Sequence, residues 1–154
     1  MTSLLTLRRS WSSLTCPQLD SLVGDLEASF VAPLRKIAPA GLGLIGLPDW
    51  FGKRFAASGD ALVGVNLVRR PGGLEPTLPM TARVGTSYAD GRQAVVISYA
   101  ADAPRPWRWV RDEVRAGGDG TLVGMTYVDV PGLRAAGGTP FILTPVPRGG
   151  GSGA

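Results

Sequence analysis

Two acids and a tyrosine are the side chains best suited to acid–base chemistry in this sequence, which contains no histidine. Without histidine, Ser-His-Asp and Cys-His catalysis, histidine-ligated zinc or haem, and a histidine pH switch are all excluded. Glu113 and Asp129 are the candidate acids or bases, and Tyr99 is a candidate proton donor. All three fall in or beside segments that alternate as strands do.

The neighbouring carboxylates Asp112 and Glu113 could divide the acid and base roles if one of them had a raised pKa. Adjacent residues of a strand point to opposite faces, so one of the two can face the interior. Trp107 and Trp109 share the face of Glu113. We therefore expect Glu113 to be the inward residue.

Lys53 is the remaining candidate for covalent chemistry, because lysine amines form Schiff bases with carbonyl compounds. An exposed or ion-paired lysine is the commoner situation. The single cysteine, Cys16, excludes an intramolecular disulfide and a thiolate metal cluster. The sequence lacks metal-binding carboxylate spacings and a phosphate-binding loop, so we expect neither a metal nor a cofactor.

The charge of the chain is moderate: 16 basic against 12 acidic residues give a net +4. The basic residues are scattered in pairs and singles, so we expect no nucleic-acid partner. No run approaches the ~20 apolar residues of a membrane span, and the polar stretch after Arg8 and Arg9 does not fit a signal peptide. We expect a cytoplasmic protein without a membrane span, and the sequence allows a homodimer.

The elements that must position these residues are predicted to form one domain, as expected for 154 residues. We expect an extension over residues 1–15, a domain over 16–147 and a flexible tail over 148–154. Apolar residues at three- and four-residue steps predict a helix over residues 17–37, which Pro33 would kink or split.

After residue 60 the hydrophobic period changes to two, which predicts strands. The six candidates are Ala61–Arg69, Met80–Tyr88, Arg92–Tyr99, Trp107–Arg115, Thr121–Val130 and Pro140–Val146. Asp90-Gly91 predicts a hairpin between the second and third candidates. Gly124 in the middle of a strand fits a bulge, a bend or the close approach of a ligand. We predict an α+β protein that is mainly antiparallel β: a small barrel of about six or more strands with an N-terminal helix.

Residues 50–55, Trp-Phe-Gly-Lys-Arg-Phe, resemble a Trp-aromatic-Gly-Lys-Arg-Phe segment of the bacterial proteins named for a Gly-x-Trp-x-Gly motif. Residues 98–104, 109–113 and 119–125 are similar to the final strands of the uncharacterised companion domain in those proteins. The resemblance covers about residues 45–130 and implies a lipocalin-like small β-barrel without an assigned reaction. Pro48 stands where the motif has a glycine, and a haem site of the related nitrobindin type would need a histidine.

We expect the barrel to bind a small hydrophobic or amphipathic ligand, such as a lipid or apolar metabolite, rather than to catalyse a reaction. The expected contacts are the aromatic and polar residues of the strand faces: Trp50, Phe55, Arg83, Tyr99, Trp107, Trp109, Arg111, Met125 and Tyr127. Arg83 or Arg111 could neutralise a carboxylate head group. The alternatives are a histidine-independent enzyme, with Glu113 or Asp129 as acid–base, and a protein-interaction module.

Overall fold

The strands of the computed structural model, which describes residues 9–29, 49–104, 107–129 and 139–147, follow one another as neighbours around a closed barrel. In chain order they are β1 Gly24–Ser29, β2 Trp50–Ser58, β3 Ala61–Arg70, β4 Gly73–Thr86, β5 Gln93–Tyr99, β6 Val110–Ala116, β7 Leu122–Val128 and β8 Thr139–Pro145. Every neighbouring pair is antiparallel, and β1 closes the barrel against β8. The predicted antiparallel barrel is therefore confirmed, with eight strands.

The predicted N-terminal helix over residues 17–37 was wrong where the structure describes it. Leu19–Leu22 form a short 3-10 helix, and β1 begins at Gly24, whose φ of 110° breaks the helical path. Leu22 and Leu26 are both fully buried, one from the 3-10 helix and one from the strand. Their four-residue spacing imitated a helical stripe. Residues 30–37 lie outside the described residues.

Inward-facing side chains from all eight strands form the core of the barrel. We call the end with the hairpins β2–β3, β4–β5 and β6–β7 the lower end, and the end at which β2, β6 and β8 begin the upper end. Leu22 joins the apolar core from the lower end. Partly buried apolar residues pack against the core at both ends: Trp50, Leu78 and Ala103 toward the upper end, and Cys16, Leu19 and Val23 toward the lower end.

Gly124 of β7, for which the sequence allowed a bulge, a bend or the close approach of a ligand, is instead closely approached by a side chain of the barrel. A Cβ atom at Gly124 would lie 2.2 Å from Cζ of Phe141 on β8. The two residues are paired across the strands. The ring of Phe141 therefore occupies the space that any larger residue at this position would need.

Replacing Gly124 by alanine should lower the free energy of unfolding by about 1–3 kcal/mol, because the added methyl group forces the buried Phe141 ring to move. Urea unfolding followed by tryptophan fluorescence measures the loss. Gly72→Ala is the matched control, since a Cβ there meets nothing within 4 Å. Equal stabilities of the two variants would contradict this account.

Candidate functional site

Four polar side chains meet inside the upper half of the barrel and form what we call the inner polar cluster. They are Lys53 of β2, Asn66 of β3, Tyr99 of β5 and Asp112 of β6, which are at most 9% exposed. Lys53 Nζ lies 3.2 Å from Asp112 Oδ2. Because β2 and β6 are not neighbours in the sheet, this ion pair crosses the barrel interior.

Hydrogen bonds join the four residues into one network. Lys53 Nζ donates to Asn66 Oδ1 and to Tyr99 OH, both at 3.1 Å. Asn66 Nδ2 donates to Tyr99 OH at 3.1 Å. Asn66 Oδ1 also accepts a hydrogen bond from the Trp50 indole at 3.1 Å. Thr126 Oγ1 donates to Asp112 Oδ1 at 2.8 Å. Such a network fixes the position of each polar atom.

The Tyr99 hydroxyl accepts two hydrogen bonds but donates none to the described residues. A hydroxyl carries one donor proton and two acceptor lone pairs, and both lone pairs of Tyr99 receive bonds, from Lys53 and Asn66. Within the described residues, no acceptor is hydrogen-bonded to its own proton. Among the described residues, this nearly buried donor therefore has no hydrogen-bonded acceptor.

The formal charges of the inner polar cluster cancel, because the Lys53 ammonium faces the Asp112 carboxylate. Burial alone would lower the pKa of Lys53, but the attraction of Tyr99 and Asp112 outweighs it and raises that pKa. Burial also raises the pKa of Tyr99, against the opposing effect of Lys53. At neutral pH the Lys53 amine is therefore protonated and the Tyr99 phenol is neutral.

Apolar and aromatic groups surround the charged centre. Lys53 Nζ lies 5.4 Å from the ring centroid of Trp50 and 5.6 Å from that of Tyr99, distances at which a cation is attracted to a π face. Trp107 packs against Tyr99, with 5.5 Å between ring centroids. Met80 Sδ is 3.7 Å from Lys53 Nζ. Methionine is a flexible neighbour that can repack around a bound molecule.

The structure brings together four of the predicted contact residues and separates the others. Trp50, Phe55, Tyr99 and Trp107 all pack in or against the interior core. Arg83 is exposed and faces Asp60, while Trp109 is 37% exposed. Arg111, Met125 and Tyr127 lie on the outer side of β6 and β7, where Met125 and Tyr127 pack around Trp11.

The expected orientation of the two neighbouring carboxylates was reversed. Asp112 points inward, between the core residues Val110 and Val114. Glu113 points outward, where it accepts hydrogen bonds from the Ser87 hydroxyl and the Tyr88 backbone amide. Glu113 was assigned to the inner face because Trp107 and Trp109 share its alternation. Trp107–Trp109 form a 3-10 helix before β6 begins, so the strand alternation does not extend to them.

The remaining predicted acid, Asp129, also lies outside the inner polar cluster. Its Oδ2 accepts a hydrogen bond from the Tyr88 hydroxyl at 2.9 Å. Tyr88 in turn stacks under Arg111, whose guanidinium carbon is 3.9 Å from the ring centroid. Glu113, Asp129 and Tyr99 therefore do not form one acid–base site.

A second buried polar group, the outer cluster, lies on the lower outside of the barrel and comprises Trp11, Ser87, Asp90, Glu113 and Arg115. The Trp11 indole donates to Ser87 at 3.1 Å, and Ser87 donates to Glu113 at 2.6 Å. Arg115 holds both oxygens of Asp90 at 2.7 and 2.8 Å. Residues 9–15, part of the predicted extension, thus contact the barrel through a buried tryptophan and through the bridge Thr15–Ala116.

Asp90 should make stability depend on pH below neutrality. The Arg115 guanidinium, with a bond from the Arg92 amide, holds the pKa of Asp90 well below its ordinary value. The unfolded chain takes up that proton near pH ~4, so this stabilisation is complete above that pH and is lost on acidification. We expect Asp90→Asn to be about 2 kcal/mol less stable at neutral pH and to lose less stability than the wild type between pH 5 and 2. Urea titrations across this range measure the difference, with the exposed Asp60→Asn as control.

Three of the four residues of the inner polar cluster were missed as a binding site. Asn66 is the one strongly polar residue within the apolar run Ala61–Val68, and that isolation was the available signal. Lys53 lies two residues before the core residue Phe55, so strand alternation places both on one face. Asp112 lies two residues from both Val110 and Val114. Each signal is visible only once the strand that contains it is known.

The parts of the chain that the structure describes contain neither a metal-binding group nor a membrane-spanning helix. No group of three or more Cys, Asp or Glu side chains there could hold a metal ion. In the same ranges, no helix has the length and apolar character of a membrane span.

The fold and its site define the class of protein: a closed, eight-stranded antiparallel barrel with a buried ion pair inside its upper half. No protein-family model matches the chain, and no curated protein does. A crystal structure of a protein from Thermomonospora curvata is similar, with a TM-score of 0.66 over 95% of this chain and 89% of that chain. At 18% sequence identity this likeness shows the fold alone.

Proposed function

We propose that the protein binds a small amphipathic molecule in the upper half of the barrel, with the polar end of the ligand at the inner polar cluster. The observation that carries the proposal is the spare proton of Tyr99, which is held in place by Lys53 and Asn66 and has no acceptor among the described residues. A buried donor without an acceptor loses the free energy of one hydrogen bond. A ligand oxygen would supply the missing acceptor.

The charge balance of the cluster favours an uncharged polar group over a carboxylate. Asp112 already neutralises Lys53 at 3.2 Å, so a ligand carboxylate would add a buried charge without a counterion. Arg83 and Arg111, the expected partners of a carboxylate, are held outside by Asp60 and Glu113. A carbonyl, ester or ether oxygen fits the Tyr99 donor without this penalty.

The surroundings favour an apolar body on the same ligand. Trp50, Met80 and Trp107 lie beside the cluster and offer rings and a thioether rather than further polar groups. Pockets with a few fixed polar atoms in an apolar lining are typical of small-molecule sites.

Two probes of matched chain length, methyl hexyl ketone and octanoate, test the proposal by calorimetry and tryptophan fluorescence. We expect the ketone to bind more tightly than octanoate at neutral pH. Tyr99→Phe should weaken ketone binding about tenfold, the equivalent of one net hydrogen bond. Tyr88→Phe is the matched control, because its hydroxyl bonds Asp129 on the outer surface. Binding of neither probe, or unchanged ketone affinity in Tyr99→Phe, would refute the proposal.

A further inference from the structure

We propose that Lys53 is a covalent binding site, which forms a protonated imine with an aldehyde ligand and keeps Asp112 as its counterion. This inference rests on the proposed function and names the ligand class more narrowly. Its basis is the geometry of three groups at one point: the amine, a carboxylate at 3.2 Å and a phenol oxygen at 3.1 Å.

The Tyr99 proton would bring the carbonyl group to the amine. An aldehyde oxygen that accepts this proton lies about 2.8 Å from the Tyr99 oxygen. Lys53 Nζ lies 3.1 Å from that Tyr99 oxygen. The carbonyl carbon is then within reach of the amine. The hydrogen bond also polarises the carbonyl group and so makes its carbon more electrophilic.

Asp112 would move the protons that the reaction requires. Asp112 first accepts a proton from the Lys53 ammonium. The free amine then adds to the carbonyl carbon and forms the C–N bond, while the carbonyl oxygen takes the Tyr99 proton. Tyr99 recovers a proton from the new C–N nitrogen, which gives a neutral carbinolamine. Asp112 then returns its proton to the hydroxyl group, which leaves as water while the C=N bond forms.

The net change is ammonium plus aldehyde to iminium plus water, and no oxidant or reductant is consumed. The nitrogen is positive before and after the reaction, so the buried Asp112 carboxylate never loses its counterion. An amine without such a partner would gain an isolated buried charge on forming an iminium. In the imine the Asp112 carboxylate would therefore still face a cation, as it does in the free protein.

Reductive trapping tests the inference on the full chain, with octanal as the probe and sodium cyanoborohydride as the reductant. The chain has two lysines, Lys36 and Lys53, so peptide mapping by mass spectrometry distinguishes the internal control from the proposed site. We expect native protein to be labelled preferentially at Lys53, although it is 1% exposed. Chain unfolded in urea should lose that preference. Tyr99→Phe should slow labelling of Lys53 about tenfold or more and leave Lys36 unchanged.

A double variant, Lys53→Met/Asp112→Val, serves as a negative control in which the site is removed without leaving a lone buried charge. Equal or faster labelling of Lys36 in the native chain would overturn the inference. If octanal shifts the tryptophan fluorescence without labelling Lys53, the imine is refuted and the proposed function stands. If neither octanal nor methyl hexyl ketone binds, both proposals fail together.

Discussion

Replacing Asp112 by alanine should lower the free energy of unfolding by about 3–5 kcal/mol, because the Lys53 ammonium would be left buried without a counterion. The Lys53 and Asp112 side chains are 2% and 4% exposed, so water cannot replace the lost carboxylate. Thr126 would also lose the acceptor of its hydroxyl proton. Urea unfolding of the variant and the wild type at neutral pH measures the loss.

Asp25→Ala is the matched control for that experiment. Asp25 is also paired with a cation, Arg54, at 2.6 Å, but the two side chains are 28% and 47% exposed. Exposed pairs contribute about 0–1 kcal/mol because solvent screens them. A loss in Asp112→Ala no larger than in Asp25→Ala would contradict the view that the inner pair is a true buried charge pair.

The double variant Lys53→Met/Asp112→Val should recover most of the stability that Asp112→Ala loses. Replacing a whole buried ion pair by apolar residues is often neutral or stabilising. Asn66 would keep two of its hydrogen bonds, since it still accepts from Trp50 and donates to Tyr99, whereas Thr126 would again lose the acceptor of its hydroxyl proton. If the double variant is as stable as the wild type, the buried ion pair does not contribute to the stability of the fold. That result would support a binding role for the site.

The six strands from residue 61 onward could be predicted from the sequence because their alternation is regular and their turns have distinctive residues, although β4 begins at Gly73 rather than at the predicted Met80. The hairpin at Asp90-Gly91 was found in this way, and Gly91 has the positive φ, 74°, that its turn requires. β1 and β2 were missed for opposite reasons. Leucines in and before β1 imitate a helical stripe, whereas an inward lysine interrupts the apolar face of β2.

The inner polar cluster could not be predicted because its contacts do not follow strand neighbours. Lys53 and Asp112 lie on β2 and β6, which pair with other strands and face each other only across the closed interior. Alternation can assign a residue to a face, but it cannot show which strand lies opposite. In β3, alternation does place Asn66 on the inward face of Leu62 and Val68, but it does not show that Tyr99 of β5 meets it there.

Replacing Trp11 by alanine should cost about 3–5 kcal/mol, the range for truncating a buried aromatic side chain. Trp11 is 2% exposed, and its ring lies 4.6 Å from the guanidinium carbon of Arg115. Its removal would uncover the apolar outer side of β7 and break the indole bond to Ser87. Urea unfolding of the full chain measures the loss.

Trp109→Ala is the control for Trp11, because it removes an equally large side chain that is 37% exposed and should cost clearly less. Trp11→Phe should lie between wild type and Trp11→Ala, since it keeps a ring under Arg115 but loses the donor to Ser87. If Trp11→Ala were no less stable than Trp109→Ala, residues 9–15 would be the loosely attached extension that the sequence suggested. The expected result instead makes them part of the folded barrel, because the Trp11 ring packs on Arg115 and the Trp11 carbonyl oxygen accepts a hydrogen bond from it.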